Sequence, residues 1–183
     1  LRNGPFAGRI IFPMRLDSTW GEFSRLEFLR AALVYTDDKG STWTMSEILP
    51  FKWTECHLTE MRNGSVLLSS RLDIVPWDGG PTRMMARSDD GGETWAAIWD
   101  VERQPWLRVP RIASGLGTDF ESGDIYWGWQ DTLDETGEGL VLLRSTDDGA
   151  TWNRSRLLLS RKDMLIPDPG HIGYADTIVV NDK

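Results

Sequence analysis

The sequence predicts an all-β chain made of a repeated sheet unit, and three observations predict it. One eight-residue stretch occurs three times, a short strand-like run leads into each copy, and no stretch sustains a helical period of 3.6 apart from weak traces near residues 20–30. The copies are Thr36-Asp37-Asp38-Lys39-Gly40-Ser41-Thr42-Trp43, Ser88-Asp89-Asp90-Gly91-Gly92-Glu93-Thr94-Trp95 and Ser145-Thr146-Asp147-Asp148-Gly149-Ala150-Thr151-Trp152. All fit one template: hydroxyl residue, any, Asp, any, Gly, any, Thr, Trp. Their first residues fall at 36, 88 and 145, so the unit recurs at 52 and 57 residues.

The octet has the chemistry of a tight turn between two strands. The carboxylates of Asp38, Asp90 and Asp147 can accept hydrogen bonds from N–H groups just downstream. Gly40, Gly92 and Gly149 supply a positive φ, and Trp43, Trp95 and Trp152 fix the turn against its sheet. The boxes at 36–43, 88–95 and 145–152 are therefore expected to be structural.

In chain order, Gly8-Arg9-Ile10-Ile11-Phe12-Pro13-Met14 is a short apolar run entered from a Gly-containing turn, read as an inner strand. Residues 30–36 run straight into the first box. Equivalent strands precede the other two, Arg83 to Arg87 and Leu140 to Arg144, so strand, box, strand is the unit. Residues 124–129, Asp-Ile-Tyr-Trp-Gly-Trp, form an aromatic strand after the loop Ser114-Gly115-Leu116-Gly117; Trp127 and Trp129 share a face, where core packing outweighs sugar stacking.

Between the first two boxes lies a hairpin, Thr54 to Met61, then Arg62-Asn63-Gly64, then Ser65 to Arg71. A two-residue loop would pair Met61 with Val66 and mix polar with apolar groups on both faces. A three-residue loop with Gly64 left-handed pairs Met61 with Ser65 and Glu55 with Arg71. Glu55, His57, Thr59, Ser69 and Arg71 then share one face, and Cys56, Leu58, Val66 and Leu68 the other. The bulged register is expected, with Glu55 and Arg71 as cross-strand neighbours.

Composition narrows the function classes. With 40% hydrophobic residues in 183, the chain can bury a real core. Ten Trp suit stacked antiparallel sheets and also carbohydrate recognition. A net charge of -8 argues against nucleic acid and anionic membranes as partners. No apolar run approaches the length of a membrane span. Two histidines, His57 and His171, far apart in sequence, and box aspartates without the alternating ligands of a calcium loop predict no metal and no cofactor. The lone Cys56 forms no internal disulfide.

The octet resembles the Asp-box, or BNR repeat, of the sialidase (neuraminidase) superfamily. The run Glu55-Cys56-His57-Leu58-Thr59-Glu60-Met61 through Gly64, Leu67, Leu68 and Arg71 is similar to the sialidase segment carrying the glutamate that activates the nucleophile and, one hairpin later, an arginine for the substrate carboxylate. Gly8 to Pro13 resembles the strand before it, and Gly173-Tyr174-Ala175-Asp176-Thr177 the segment carrying the catalytic tyrosine. The resemblance covers nearly the whole chain, as the middle-to-late part of the family's domain. It implies a six-bladed β-propeller of which about three blades are here. Residues 1–183 are thus expected to be a single incomplete domain, inactive by itself and belonging to an extracellular or periplasmic protein.

The resemblance also implies a chemistry. Sialic acid carries a carboxylate on its anomeric carbon, so a carboxylate nucleophile would approach against like charge; a tyrosine deprotonated as it attacks avoids that repulsion. Tyr174 would be the nucleophile, Glu55 its base, Arg71 the holder of the substrate carboxylate and His57 a polar wall of the pocket. The implied activity is that of a retaining exo-α-sialidase acting on a glycan or sialoside. Two features depart from the family pattern. Its first arginine and its aspartate acid/base would lie upstream of Leu1. Its third arginine has no counterpart, because residues 112–143 contain no arginine and the nearest match falls at Gly137, while nothing in the spacing selects Arg108, Arg111 or Arg144 as a substitute. A non-catalytic Asp-box propeller that binds glycan or protein, or a hydrolase of a different sugar, are the alternatives.

Overall fold

A computed structural model describes residues 1–16, 30–49, 53–72, 83–99, 115–131, 139–160 and 176–180. These residues form three antiparallel sheets, and the one helical element among them is a 3-10 turn at Gly4–Phe6. The first sheet contains β1 (Ile10–Leu16), β2 (Arg30–Thr36) and β3 (Thr44–Met45), paired in that order. The second has the order β4 (Trp53–Glu60), β5 (Val66–Leu72), β6 (Arg83–Ser88), β7 (Ala96–Trp99). The third comprises β8 (Leu116–Thr118), β9 (Ile125–Asp131), β10 (Gly139–Ser145) and β11 (Asn153–Ser160). Each is a meander, the arrangement of propeller blades.

Each box joins the last two strands of its blade. Aligned on the box, β1 takes the place of β5 and β9. The expected inner strand at residues 8–14 is therefore a second strand, and the described part of the first blade corresponds to the outer three strands of the others.

The three boxes repeat one hydrogen-bond pattern. The hydroxyls of Thr36, Ser88 and Ser145 donate to Oδ1 of Asp38, Asp90 and Asp147 at 2.7, 2.7 and 2.8 Å. The same hydroxyl oxygens accept the N–H of Gly40, Gly92 and Gly149 at 2.9, 2.7 and 2.9 Å. Each Asp then receives the N–H and the hydroxyl of the Thr four residues on: Thr42 at 2.8 and 2.7 Å, Thr94 at 2.9 and 2.5 Å, Thr151 at 2.7 and 2.6 Å. A Cβ on any of the three glycines would lie 3.6 to 3.8 Å from Cζ2 of its own box Trp, so the indole closes the turn. Two successive residues are left-handed in each turn, Lys39-Gly40, Gly91-Gly92 and Asp148-Gly149, one more than the sequence suggests. Trp152 is buried against Trp127 with ring centroids 5.3 Å apart, whereas Trp43 is 48% exposed beside Phe12 on the uncovered face of the first blade.

These turns make stability acid-sensitive. Hydrogen bonds from the Thr42 N–H and hydroxyl and from Thr36 hold Asp38 down to about 2. At Asp90 and Asp147 burial pushes the carboxyl up, but the bonds from Thr94 or Thr151 and from the box serine together outweigh it. A folded-state pKa below the unfolded value means that the unfolded chain takes up protons first. The contribution is complete above roughly pH 4 and is lost as pH falls toward 2. Urea midpoints are expected to be level from neutrality to that point and to drop steeply below it; a midpoint still level at pH 2.5 would contradict this role for the boxes.

The middle blade packs on both faces. On one side Leu68, Met84 and Ala86 join Ala31, Leu33 and Leu49 of the first blade, with Cys56 and Leu58 against them. On the other, Met61, Leu67 and Met85 join Leu116, Ile125, Trp127, Val141, Leu143 and Trp152 of the third. Fully burying side chains of this size contributes roughly 2 kcal/mol each, so these two layers hold the blades together. Arg9 adds a polar clamp between boxes: its guanidinium takes Asp37 in a bidentate pair at 2.8 Å, donates to Gly91 O and Glu93 Oε1 at 3.1 Å, and lies over the rings of Phe6 and Tyr35.

Candidate active site

The hairpin forms with the expected three-residue loop. Met61 N–H donates to Ser65 O at 2.7 Å, Gly64 N–H to Met61 O at 2.9 Å, and Gly64 is left-handed at φ 88°. Pairing runs regularly from Glu60↔Val66 to His57↔Ser69 and then shifts, so that Thr54, not Glu55, is the partner of Arg71. A bulge at Glu55-Cys56 inserts one residue into β4. The alternation used to sort the faces predicts an unbroken ladder and carries no sign of this insertion.

The bulge puts Glu55 in a left-handed conformation, φ 46°. In an L-residue that geometry costs about 1–2 kcal/mol, and the position is one that glycine commonly fills in a bulge. Glu55 nevertheless forms the expected ion pair: Arg71 Nη1 donates to Glu55 Oε1 at 3.0 Å, with the two side chains 20% and 24% exposed. Backbone strain retained at a half-buried carboxylate is the pattern of a functional position.

A second arginine stands beside this pair. Arg83 opens β6 directly opposite Arg71 and is 1% exposed. Burial pushes its pKa down to about 10; Glu55 opposes that shift and Arg71 adds to it, so the guanidinium stays charged at neutral pH. The sequence reading treats Arg83 only as the first residue of a box-flanking strand. Its signal is the register itself, since Arg71, next to the last residue of β5, faces the first residue of β6.

Glu55, Arg71 and Arg83 thus come from the ends of three neighbouring strands. The box of the same blade begins at Ser88, at the other end of β6, roughly 16 Å away along the strand. The box is a corner remote from these charges, as expected.

His57 lies two residues beyond Glu55 and is half-buried. Its Nδ1 is 3.7 Å from Oδ1 of Asp176, in the segment 176–180 after the third box. Burial lowers the His57 pKa, Asp176 opposes this and Arg83 reinforces it, so the imidazole is neutral at pH 7. Segment 176–180 runs alongside β8: Thr177 Oγ1 accepts the N–H of Gly128 at 3.0 Å, and Gly115 and Gly117 approach residues 176–179 closely enough that added Cβ atoms would meet them. Thr59 and Thr118 share a buried hydroxyl–hydroxyl bond of 2.9 Å between β4 and β8. Tyr174 lies outside the described residues, as do His171, Arg108 and Arg111.

The remaining candidates do not join this cluster. Burial pushes the Cys56 thiol up to about 11, and it donates to Ser70 Oγ at 3.2 Å, so it is no ready nucleophile. Arg144 is paired with Asp124 through Nε at 2.8 Å. Trp127 is fully buried core, and the side chain of Trp129 is outside the described set. Among the described residues, no three His, Cys, Asp or Glu side chains cluster in a way that could hold a metal ion, and no helix is long and apolar enough to cross a membrane.

Comparison with known proteins agrees with this architecture. Residues 86–97 match the BNR/Asp-box repeat family. The chain is 34% identical over 189 residues to a sialidase of Micromonospora viridifaciens, covering 100% of this chain and 26% of that protein. It is 31% identical over 174 residues to a sialidase of Vibrio cholerae serotype O1, covering 82% of this chain and 21% of that protein. Among solved structures, the Hadza microbial sialidase Hz136 superposes with a TM-score of 0.60 at 22% identity, over 82% of this chain and 28% of that one. The chain spans about a quarter of the length of the curated relatives it matches. It belongs to the sialidase superfamily, as part of that superfamily's Asp-box β-propeller.

Proposed function

We propose that this chain is part of a retaining exo-α-sialidase-like glycoside hydrolase in which Tyr174 is the nucleophile, Glu55 its base and Arg71 the ligand of the substrate carboxylate. The observation that carries the reading is the pairing of a strained, half-buried Glu55 with Arg71 at 3.0 Å, beside a His57 that meets Asp176 at 3.7 Å. Glu55 precedes His57 by two residues and Tyr174 precedes Asp176 by two. The contacts of Gly115 and Gly117 with residues 176–179 advance in one direction along both segments.

In the reaction, the Tyr174 oxygen bonds to the anomeric carbon as the bond to the leaving oxygen breaks. The tyrosine proton passes to Glu55. A general acid protonates the departing oxygen; water then attacks the anomeric carbon of the tyrosyl intermediate, giving a proton to that acid's conjugate base, while the tyrosine oxygen leaves and takes its proton back from Glu55. The arginine fork of Arg71 suits a carboxylate better than a lysine would. His57, neutral, offers hydrogen bonding without adding charge.

A second reading, hydrolysis of another sugar or glycan binding without hydrolysis, is favoured by one observation: no arginine occurs in residues 112–143, where a third carboxylate ligand belongs. The test is the full-length protein on a fluorogenic sialoside beside its Tyr174→Phe variant. Wild type is expected to release the fluorophore and the variant to lose about a thousand-fold or more in kcat. No release by wild type, or equal release by both, would remove the sialidase reading.

A further inference from the structure

A neutral imidazole donates from one ring nitrogen and accepts at the other, so what a histidine can bind depends on which nitrogen carries the proton. His57 is 28% exposed on β4. Burial lowers its pKa; Asp176 on the docked segment and Glu55 on its own strand oppose this, Arg83 on β6 reinforces it, and the ring is neutral at pH 7. Its partner across β5 does not orient it: Ser69 is fully buried, and its hydroxyl bonds nothing among the described residues. Oδ1 of Asp176 reaches the ring instead, 3.7 Å from Nδ1.

That carboxylate is held in place. Its Oδ1 accepts the N–H of Thr177 at 2.8 Å and lies against Gly115, where an added Cβ would collide with it. The segment is tied to β9 by the bond from Gly128 N–H to Thr177 Oγ1 at 3.0 Å. Two residues along from His57, Thr59 ties β4 to Thr118 of β8 at 2.9 Å. Histidine and carboxylate therefore sit on elements fixed to one another. A separation of 3.7 Å is beyond a side-chain hydrogen bond, but the charge still acts on the ring. A lone pair on Nδ1 would face a negative oxygen, whereas an N–H there is attracted to it.

We propose that Asp176 is a positioning residue that keeps the proton of His57 on Nδ1, leaving Nε2 as an acceptor for a hydroxyl or amide N–H of the sugar. This rests on the sialidase-type reading of the hairpin and makes His57 a specificity-determining contact. The guanidinium groups of Arg71 and Arg83 donate and cannot accept. The carboxylate of Glu55 accepts, but it is negative and already takes a bond from Arg71 at 3.0 Å. An Nε2 lone pair accepts a sugar donor without a charge that would repel the substrate carboxylate. Asp176 acts through the imidazole and not on the reacting atoms.

Nitrogen NMR of the full-length protein carrying isotope-labelled histidine reads the tautomer directly, with the His57 signals identified by their loss in His57→Gln. At neutral pH, Nδ1–H is expected to be the major form. Asp176→Asn keeps an acceptor for the Thr177 N–H but removes the charge, and should shift the ratio toward Nε2–H about three-fold or more. The same variant is expected to raise KM for a sialoside about three- to ten-fold, with a smaller change in kcat. His57→Leu, which removes the acceptor outright, should raise KM about ten-fold or more, and His57→Gln, whose amide oxygen still accepts, should stay within about three-fold of wild type. Nε2–H as the major form in wild type, or a ratio unmoved by Asp176→Asn, overturns the positioning role. A folded His57→Leu with wild-type KM overturns the acceptor role. Should His57→Leu fail to fold, Asp176→Asn decides, since that side chain is 81% exposed: a shifted tautomer with an unchanged KM overturns the acceptor role. A full-length protein inactive on sialosides sinks the functional reading and the acceptor role with it, while the tautomer ratio still decides what Asp176 does to His57.

Discussion

Gly115→Ala is expected to be severely damaging, lowering stability by about 3 kcal/mol and abolishing sialoside turnover together. A Cβ at Gly115 would stand 2.2 Å from Asp176 Oδ1, 2.3 Å from Thr177 N and 2.5 Å from Asp176 Cα. Two of these are backbone atoms, which cannot rotate aside. Relief requires segment 176–180 to move off β8, which would break the Thr177 bond to Gly128 and separate Asp176 from His57. Gly8→Ala is the control, because nothing lies within 4 Å of its added Cβ and only its φ of 96° is penalised. It should cost about 1 kcal/mol and leave activity intact. Thermal unfolding and kcat of both variants in the full-length protein check this; a Gly115→Ala protein with normal turnover would refute the close docking of the segment.

Glu55→Gln is expected to lower kcat by about a hundred- to ten-thousand-fold, because the amide cannot take the tyrosine proton. It should also destabilise, since the charge-assisted bond from Arg71 to Glu55 would be lost. Both Glu55 and Arg71 are about one-fifth exposed, so the cost is set at about 1–3 kcal/mol, below that of a fully buried pair. Glu55→Gly offers an informative comparison. It loses the same charge, but a glycine at φ 46° is unstrained, so it should be more stable than Glu55→Gln by about 1 kcal/mol and equally inactive. Equal stability of the two would show that the bulge exacts no backbone cost at this position.

How much of this was legible in the sequence depended on how local each interaction is. The hydrogen-bond pattern that the three boxes repeat was readable, because each bond of it spans four residues or fewer, whereas the second left-handed residue of each turn was not. The hairpin loop was readable for the same reason, and the cross-strand closeness of Glu55 and Arg71 followed from it. The bulge was not: apolar alternation fixes which face a residue prefers but does not reveal an inserted residue where Glu55 and Cys56 are both only half-buried. The resulting shift made Thr54 the Cα partner of Arg71, yet the ion pair survived because the side chains are long enough to absorb one step.

Arg83 escaped notice because β6 carries an arginine at each end, and nothing within the strand says which is buried. Arg87 is half-exposed and paired with Asp89 at 2.7 Å, while Arg83 is sealed in by the neighbouring strands. The position of β1 was misread for a related reason: an apolar run looks the same as a first or a second strand of a blade, and only its pairing with β2 and the place of the box distinguish them. The exposed face of Phe12, Trp43 and Met45 is equally invisible from composition, which says that these residues are apolar but not which blade faces have a neighbour. The His57–Asp176 contact joins residues 119 positions apart, and family resemblance alone pointed to that segment.

The central claim is that the hairpin bearing Glu55 and Arg71 and the segment bearing Tyr174 make one glycosidic site. The measurement that tests it most directly is mass spectrometry of peptides from the full-length protein after exposure to a sialosyl fluoride carrying fluorine at C3, a substituent that slows breakdown of a covalent intermediate. The expected result is one added sialosyl group on the peptide containing Tyr174, absent from Tyr174→Phe and formed far more slowly by Glu55→Gln. A label on any other side chain, or none in a protein that releases sialic acid, would contradict the assignment.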